Sequence, residues 1–213
     1  FLENEDNFEE NFENLLNKIV DEQIIKDHYK FIYFLQLLSK IAKNHYRNPI
    51  FLSKLQKIFI SLKKEIKQSF SNFDIFDIFK NNKRILLFLI NEGIIKIDKS
   101  ISDVITSGKY IEMKYPEYFF NEIKPFIDEE TAKTFSIDKY STDYEENRKI
   151  GENECYICKL IRNDLISDFI TYVNKEDLSL QSKIETSIYE TNPFLLEEEP
   201  KLIEYSAFYG SVQ

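Results

Sequence analysis

Two stretches near the carboxyl end, CYICKLIRNDLISDFITYVN at 155–174 and PKLIEYSAFYGSVQ at 200–213, decide the predicted fold. The first stretch holds two short apolar faces separated by the polar break Arg162-Asn163-Asp164. The faces consist of Ile157, Leu160 and Ile161 before the break and of Leu165, Ile166, Phe169, Ile170 and Val173 after it. Two short helices around a tight polar turn are the unit from which helical solenoids are built. The first stretch therefore predicts one helix-turn-helix unit, and the second predicts the start of another.

The scarcity of glycine favours an all-α fold for the whole chain. The 213 residues include only 4 glycines, and 43% of the chain is hydrophobic. Sheet-rich folds and dinucleotide-binding folds need glycine at tight turns and phosphate loops, whereas helical arrays do not. The two closest glycines, Gly93 and Gly108, lie fifteen positions apart. That spacing excludes the glycine-rich phosphate loops and the GxSxG nucleophile motif.

The net charge and the number of cysteines indicate which binding partners and which cellular compartment to expect for this chain. The formal net charge of −9 argues against general binding of polyanions, so nucleic acid is not the expected partner. Two cysteines three residues apart cannot build a disulfide framework, which favours a reducing compartment. No apolar run approaches the ~20 residues of a membrane span. We therefore expect an intracellular, cytoplasmic protein without a membrane span.

The residues ahead of the repeat-like stretch predict a helical N-terminal domain over 1–148. Apolar residues recur there at helical spacing, and Gly93 is expected to end one of the helices. From 138 to 153 the chain is polar and charged, with few aliphatic residues and one glycine. Such a composition favours a domain boundary. The start of the repeat-like region is then predicted to cover 150–213.

A basic face on the helix predicted at 49–68 suggests a different function. Between Lys40 and Lys67, eight basic residues stand against the single acid Glu65. The predicted solvent-facing stripe of this helix consists of Lys54, Lys57, Ser61 and Lys64. Basic residues of this kind can hold the phosphates of a nucleic acid or of an anionic membrane. Because the aromatic residues fall on the buried stripe, a solvated helix face is the preferred interpretation.

No residue is predicted to be catalytic, cofactor-binding or metal-binding. Cys155-x-x-Cys158 is the sharpest candidate, but zinc would need two further ligands at suitable spacing. The histidines His28 and His45 lie more than a hundred residues upstream. A thioredoxin-type role would need a preceding strand in a βαβ setting, which the pattern lacks. Both thiols fall on one helical face and are interpreted as small core residues.

The second stretch also matches the first-helix consensus of an ankyrin repeat, TPLHxAAxxG, without a gap. Ala207 and Gly210 match outright, while Ser206 stands for the first Ala and Ile203 for the Leu. The consensus Thr, Pro and His are replaced by Lys201, Leu202 and Glu204. Small residues at these positions let neighbouring helices approach closely, and the glycine permits the turn into the next helix.

The amino-acid sequence of 151–213 resembles that of a family of ankyrin-repeat proteins of trichomonad parasites. In that family a helical domain of unknown function precedes the repeats. The matching segments are ICKLIRNDLISDFITYVN at 157–174, ETNPFLL at 190–196 and PKLIEYSAFYGSVQ at 200–213. The resemblance implies an intracellular protist protein whose further repeats follow Gln213. It implies no enzymatic activity.

Together these features predict a non-catalytic protein–protein interaction or scaffold module that needs no cofactor. The expected architecture is a helical domain leading into an ankyrin-like solenoid, truncated at its carboxyl end. Because the chain starts at Phe1 and stops just after Gly210, we expect a segment of a longer protein. The alternative function is nucleic-acid or anionic-membrane binding through the Lys-rich face of the 49–68 helix.

Overall fold

The computed structural model describes residues 8–44, 49–136, 143–196 and 199–210. The chain divides into two compact units, Phe1–Ser102 and Asp103–Gln213. Among the described residues, every regular element is helical apart from one isolated antiparallel bridge between Lys183 and Lys201. The predicted all-α class is therefore confirmed at this level. His45 lies outside the described residues.

The helices follow one another through both units. Those of the first unit are α1 (Phe8–Asp21), α2 (His28–Asn44), α3 (Pro49–Ser61), α4 (Lys63–Ser69), α5 (Asn72–Phe79) and α6 (Lys83–Asn91). The helix α7 (Lys99–Ile105) crosses the division between the units. Those of the second unit are α8 (Lys109–Glu112), α9 (Tyr115–Tyr118), α10 (Phe120–Ile123), α11 (Glu129–Thr134), α12 (Tyr144–Ile150), α13 (Tyr156–Arg162), α14 (Ile166–Lys175), α15 (Pro193–Leu196) and α16 (Leu202–Tyr209). A short 3-10 helix, Lys124–Phe126, follows α10.

Side-chain caps explain where several helices begin. Before α5, Ser71 and Asp74 form a reciprocal capping box, in which each side chain accepts the backbone N–H of the other residue at 3.2 and 2.9 Å. Before α6, the Asn82 side chain accepts the N–H of Ile85 at 3.1 Å. The first amides of a helix have no partner within the helix, so these caps stabilise the start positions.

The end of α6 is fixed by a glycine and by two lysines of α4. Gly93 adopts φ +62°, and the next amide, that of Ile94, donates to Leu89 O at 2.8 Å. This left-handed ending is the one predicted for Gly93. The Lys63 ammonium donates to the carbonyl of Glu92, and the Lys67 ammonium donates to that of Gly93 at 2.9 Å. We call this pair of contacts the lysine cap of α6.

Aromatic side chains fill much of the core of the first unit. Phe59 of α3 is fully buried and packs edge-on against Phe79 of α5, with ring centroids 5.3 Å apart. It also approaches Phe88 of α6 at 6.4 Å. One side chain of α3 therefore links three helices, which makes it a sensitive point of this core.

A buried arginine connects α12 with α9 and α10 in the second unit. Arg148, 4% exposed, pairs with Glu122 at 2.7 Å and with Glu145 at 2.9 Å. Its guanidinium also donates to Tyr118 O at 3.0 Å, and the Tyr118 hydroxyl donates back to Arg148 O at 2.8 Å. The Tyr144 ring lies 5.2 Å from the guanidinium carbon. We call this set of side chains the Arg148 cluster. Tyr144, Glu145 and Arg148 of this cluster lie in the polar stretch at 138–153 that predicts a domain boundary, and the whole cluster lies inside the second unit. That boundary stays a prediction about domain organisation.

The residues Glu190-Thr191-Asn192 form a loop whose polar side chains make hydrogen bonds with backbone groups. The Glu190 carboxylate accepts the amides of Thr191 and Asn192 at 2.9 and 2.8 Å. The Asn192 side chain accepts the amide of Phe194 at 3.0 Å, and the Thr191 hydroxyl donates to Gly151 O at 2.8 Å. All three side chains are buried. They pair with the backbone amides of the loop, and Thr191 attaches the loop to Gly151 at the end of α12.

Candidate functional site

The helices α13 and α14 form the helical hairpin that the sequence predicts. After Arg162 the chain turns through Asn163 and Asp164, and Asp164 takes a left-handed conformation at φ +54°. The amide of Leu165 donates back to Leu160 O at 3.0 Å and closes the turn. A short polar turn of this kind lets two consecutive helices pack on each other.

The helix α16 packs against α13 and completes a small core. Its members, all buried, are Ile157, Cys158, Ile161, Ile184, Leu195, Leu202 and Tyr205. Phe169, Tyr172 and Val173 of α14 pack against the same core while remaining partly exposed. The hairpin and α16 are therefore held by a common apolar cluster.

Arg162 ties this core to the segment that precedes α13. Its Nε pairs with Glu152 at 2.9 Å, and its Nη1 donates both to Asn153 O and to the Tyr205 hydroxyl at 2.8 Å. Burial raises the pKa of Tyr205 well above its ordinary value, so the hydroxyl stays protonated. The side-chain network thus joins α13 to α16 through a neutral tyrosine. Sequence periodicity did not indicate it.

The two cysteines occupy different environments, and one of them departs from the prediction. Cys158 is fully buried in the core cluster, as expected of a small core thiol. Cys155 is exposed and sits just before the first residue of α13, where its amide donates to the Asn153 side chain at 2.9 Å. The core interpretation is therefore wrong for Cys155, because α13 starts one residue later and Cys155 lies outside the packed face.

The pKa values of the two thiols shift in opposite directions. The Cys158 thiol donates a hydrogen bond to the Cys155 sulfur, and the amides of Ile157 and Cys158 also donate to it. Together these donors lower the pKa of Cys155 to about 6, although partial burial and Glu154 oppose the shift. The same hydrogen bond and burial raise the pKa of Cys158 well above its usual range. At neutral pH the single shared proton therefore resides on Cys158, and Cys155 is a thiolate.

We expect alkylation of Cys155 by iodoacetamide to reach half its maximal rate near pH 6, because the thiolate is the reacting form. In the unfolded chain the midpoint should lie near the ordinary value of about 8.5. The measurement is the rate of mass gain at Cys155 against pH. Cys158→Ala removes the main donor and should move the midpoint upward, whereas Cys158→Ser keeps a hydroxyl donor and should move it less. A midpoint above 8 in the unaltered chain would contradict the hydrogen-bonded arrangement.

A pocket opens beside Cys155. It has a volume of about 280 Å³ and is lined in addition by Tyr172, Leu178, Lys183 and Thr186. Its rim is fixed by two contacts, from the Asn153 side chain to Glu185 O at 3.0 Å and from the Ser187 hydroxyl to the Glu154 carboxylate. The volume is near the lower end for small-molecule sites.

A second surface feature lies at the start of α14. No residue of α14 is fully buried; Ile170 in this helix is 53% exposed, and Leu165, the residue just before it, is 45% exposed. A small groove lies among α13, the turn of the hairpin, the first half of α14 and one residue of α16, and we call it the hairpin groove. It is lined by Leu160, Ile161, Asp164, Leu165, Ile166, Phe169 and Ser206.

The Lys-rich face does not form a uniform basic surface. The predicted 49–68 helix is two helices, α3 and α4, which meet at Leu62. Lys54, expected to face solvent, is only 4% exposed, because it lies three residues after Phe51 and four before Ile58 on the buried stripe. Lys63 and Lys67 belong to the lysine cap of α6. Of the predicted solvent-facing stripe, Lys57, Ser61 and Lys64 are exposed.

Within the described residues no helix is both long and apolar enough to cross a membrane. In the same part of the chain, no group of three or more His, Cys, Asp or Glu side chains is placed to hold a metal ion.

The chain was also compared with known proteins. No family model, no curated protein and no solved structure matches it.

Proposed function

We propose that the hairpin and α16 form a non-catalytic protein-binding module of the stacked-helix type, as the resemblance to ankyrin-repeat proteins implies. The observation that carries this proposal is the hairpin groove. An amphipathic helix such as α14 usually buries its apolar face, yet Ile170 in this helix is 53% exposed, and Leu165, which lines the groove just before the helix, is 45% exposed. Exposed apolar surface is typical of interaction sites.

The proposed partner segment is an amphipathic helix with aliphatic residues on one side and Lys or Arg beside them. Five of the seven residues that line the groove are apolar, which suits aliphatic anchors spaced three and four residues apart. Residues 150–213 carry twelve acidic and five basic side chains, a net formal charge of −7. A field of this sign favours encounter with a basic partner and disfavours nucleic acid.

Binding of phosphates through the Lys-rich face is less well supported. Lys54 is buried, and Lys63 and Lys67 are engaged by the carbonyls at the end of α6. Those two ammonium groups would have to leave helix-end carbonyls before they could bind a phosphate. This alternative stays a prediction.

The test is selection of helix-forming peptides from a displayed library on the full chain. We expect the enriched peptides to share aliphatic residues at i, i+3 or i+4 with adjacent Lys or Arg. Leu165→Asp should weaken their binding at least about tenfold, because a carboxylate would replace an exposed aliphatic side chain that lines the groove. Thr171→Asp is the matched control, since Thr171 is exposed on α14 and does not line the hairpin groove.

Two results would overturn the proposal. One is peptides that bind Leu165→Asp as well as they bind the unaltered chain. The other is concentration-dependent self-association of the chain that Leu165→Asp abolishes, since the groove would then bind a second copy. Sedimentation of the unaltered chain and of both variants distinguishes these cases.

A further inference from the structure

The pocket beside Cys155 and the hairpin groove have no lining residue in common. Cys155 lines the pocket, whereas Cys158 lies in the core between α13 and α16. An exposed thiol at the start of α13 and a buried one three residues later, in the first turn of the same helix, divide the roles of attacking and resolving sulfur.

We propose that Cys155 and Cys158 are a reversible dithiol–disulfide switch, oxidised by small disulfides such as oxidised glutathione that reach Cys155 through the pocket. The pocket of about 280 Å³ gives a small disulfide access to the exposed sulfur. Cys158 has no such exposure. Attack therefore begins at Cys155.

Cys155 is ionised before it attacks the small disulfide, whereas Cys158 is protonated. The hydrogen bond from Cys158 and those from the two backbone amides stabilise the Cys155 thiolate. A thiolate whose pKa lies near or below ambient pH is present in high fraction and still nucleophilic. Cys158 keeps its proton until Cys155 has reacted, because its pKa is raised by the same hydrogen bond.

The reaction balances with one molecule of the small disulfide. The Cys155 thiolate attacks one sulfur of that disulfide, which forms a mixed disulfide and releases one thiolate. The negative charge that raised the pKa of Cys158 is then gone, so Cys158 can pass its proton to the departing thiolate or to water. The Cys158 sulfur attacks the Cys155 sulfur and expels the second thiolate. Two protein thiols are oxidised by two electrons, and one disulfide is reduced to two thiols.

Oxidation acts on the contact between α13 and α16. Tyr205 of α16 packs in the same buried cluster as Cys158, and its hydroxyl accepts from Arg162 at 2.8 Å. When the Cys158 sulfur bonds to Cys155, it is drawn toward the start of α13 and away from Tyr205. We expect the packing of α16 to loosen as a result.

The experiment incubates the reduced full chain in glutathione buffers of increasing oxidised fraction, quenches with acid and alkylates the remaining thiols. Intact mass should show a product two hydrogen atoms lighter that no longer takes up alkylating agent, and dithiothreitol should restore the original. Cys158→Ser should stop at the mixed disulfide, with one glutathione attached. Cys155→Ser leaves the core thiol in place and should not react.

Hydrogen exchange supplies the second readout. Amides of α16 should exchange about fivefold faster in the oxidised chain, the effect of losing one hydrogen bond, while amides of α6 should not change. Three results would overturn the proposal: no intramolecular disulfide in excess oxidised glutathione, glutathionylation of Cys155→Ser at the rate of the unaltered chain, or unchanged exchange in α16 after oxidation.

Discussion

Arg148→Leu should lower the free energy of unfolding of the second unit by about 2–4 kcal/mol, because it leaves the mostly buried Glu122 carboxylate without its partner. The guanidinium is 4% exposed, and its main partner, Glu122, is 15% exposed. The substitution also removes the donor to Tyr118 O. The measurement is hydrogen exchange across α9 to α12 under increasing urea, since one transition need not describe a chain of two units.

Two further variants test the cause of this loss. Lys149→Leu changes the exposed neighbour in the same helix and should alter stability by no more than about 0.5 kcal/mol. Glu122→Leu combined with Arg148→Leu removes both charges and should cost less than the sum of the single losses. Additive losses would mean that the Arg148 cluster is not a coupled network.

Phe59→Ala should cost the first unit about 3–5 kcal/mol, because a fully buried ring between three helices would leave a cavity. The rings of Phe79 and Phe88 would lose their contact at the centre of that core. Exchange protection of α3, α5 and α6 should fall together, since Phe59 links them.

Ile60→Ala is the matched control for this core substitution. Ile60 follows Phe59 in α3 but is 49% exposed, so the loss should stay below about 1 kcal/mol. Equal losses for the two variants would mean that Phe59 does not occupy the buried position described.

Local periodicity and turn chemistry were enough to predict the hairpin. Apolar residues on either side of Arg162-Asn163-Asp164 predicted two short helices. The polar break between them contains Asp164, a residue type that tolerates the left-handed conformation of the turn. Gly93 was predictable for the same reason, because a helix ending needs a positive φ that glycine adopts without strain. These signals depend only on neighbouring residues.

The Arg148 cluster could not be predicted in this way. Arg148 lies in a charged stretch whose composition favours a linker, and its burial depends on Tyr118 and Glu122, about thirty residues earlier. The exposure of Lys54 was predicted wrongly for a different reason. Because lysine is rarely buried, the sequence pattern predicts that Lys54 faces solvent, whereas the residue is buried and its aliphatic stem packs on the buried stripe.

The two thiols show why periodicity alone misses an exposed cysteine. Their spacing puts both sulfurs on one face of a helix, but α13 begins at Tyr156, and Cys155 is exposed while Cys158 is buried. Apolar spacing does not fix the residue at which a helix begins.

The lysine cap of α6 bears on the order in which the chain can assemble during synthesis. Its two hydrogen bonds join residues only 29 and 26 positions apart, and neither requires anything that follows Gly93. Contacts between Arg162 and Tyr205 span 43 positions and need residues close to the carboxyl end. Short spans close early and at low entropic cost. The amino-terminal helices can therefore be in place while the ribosome is still adding the residues of the cysteine pair.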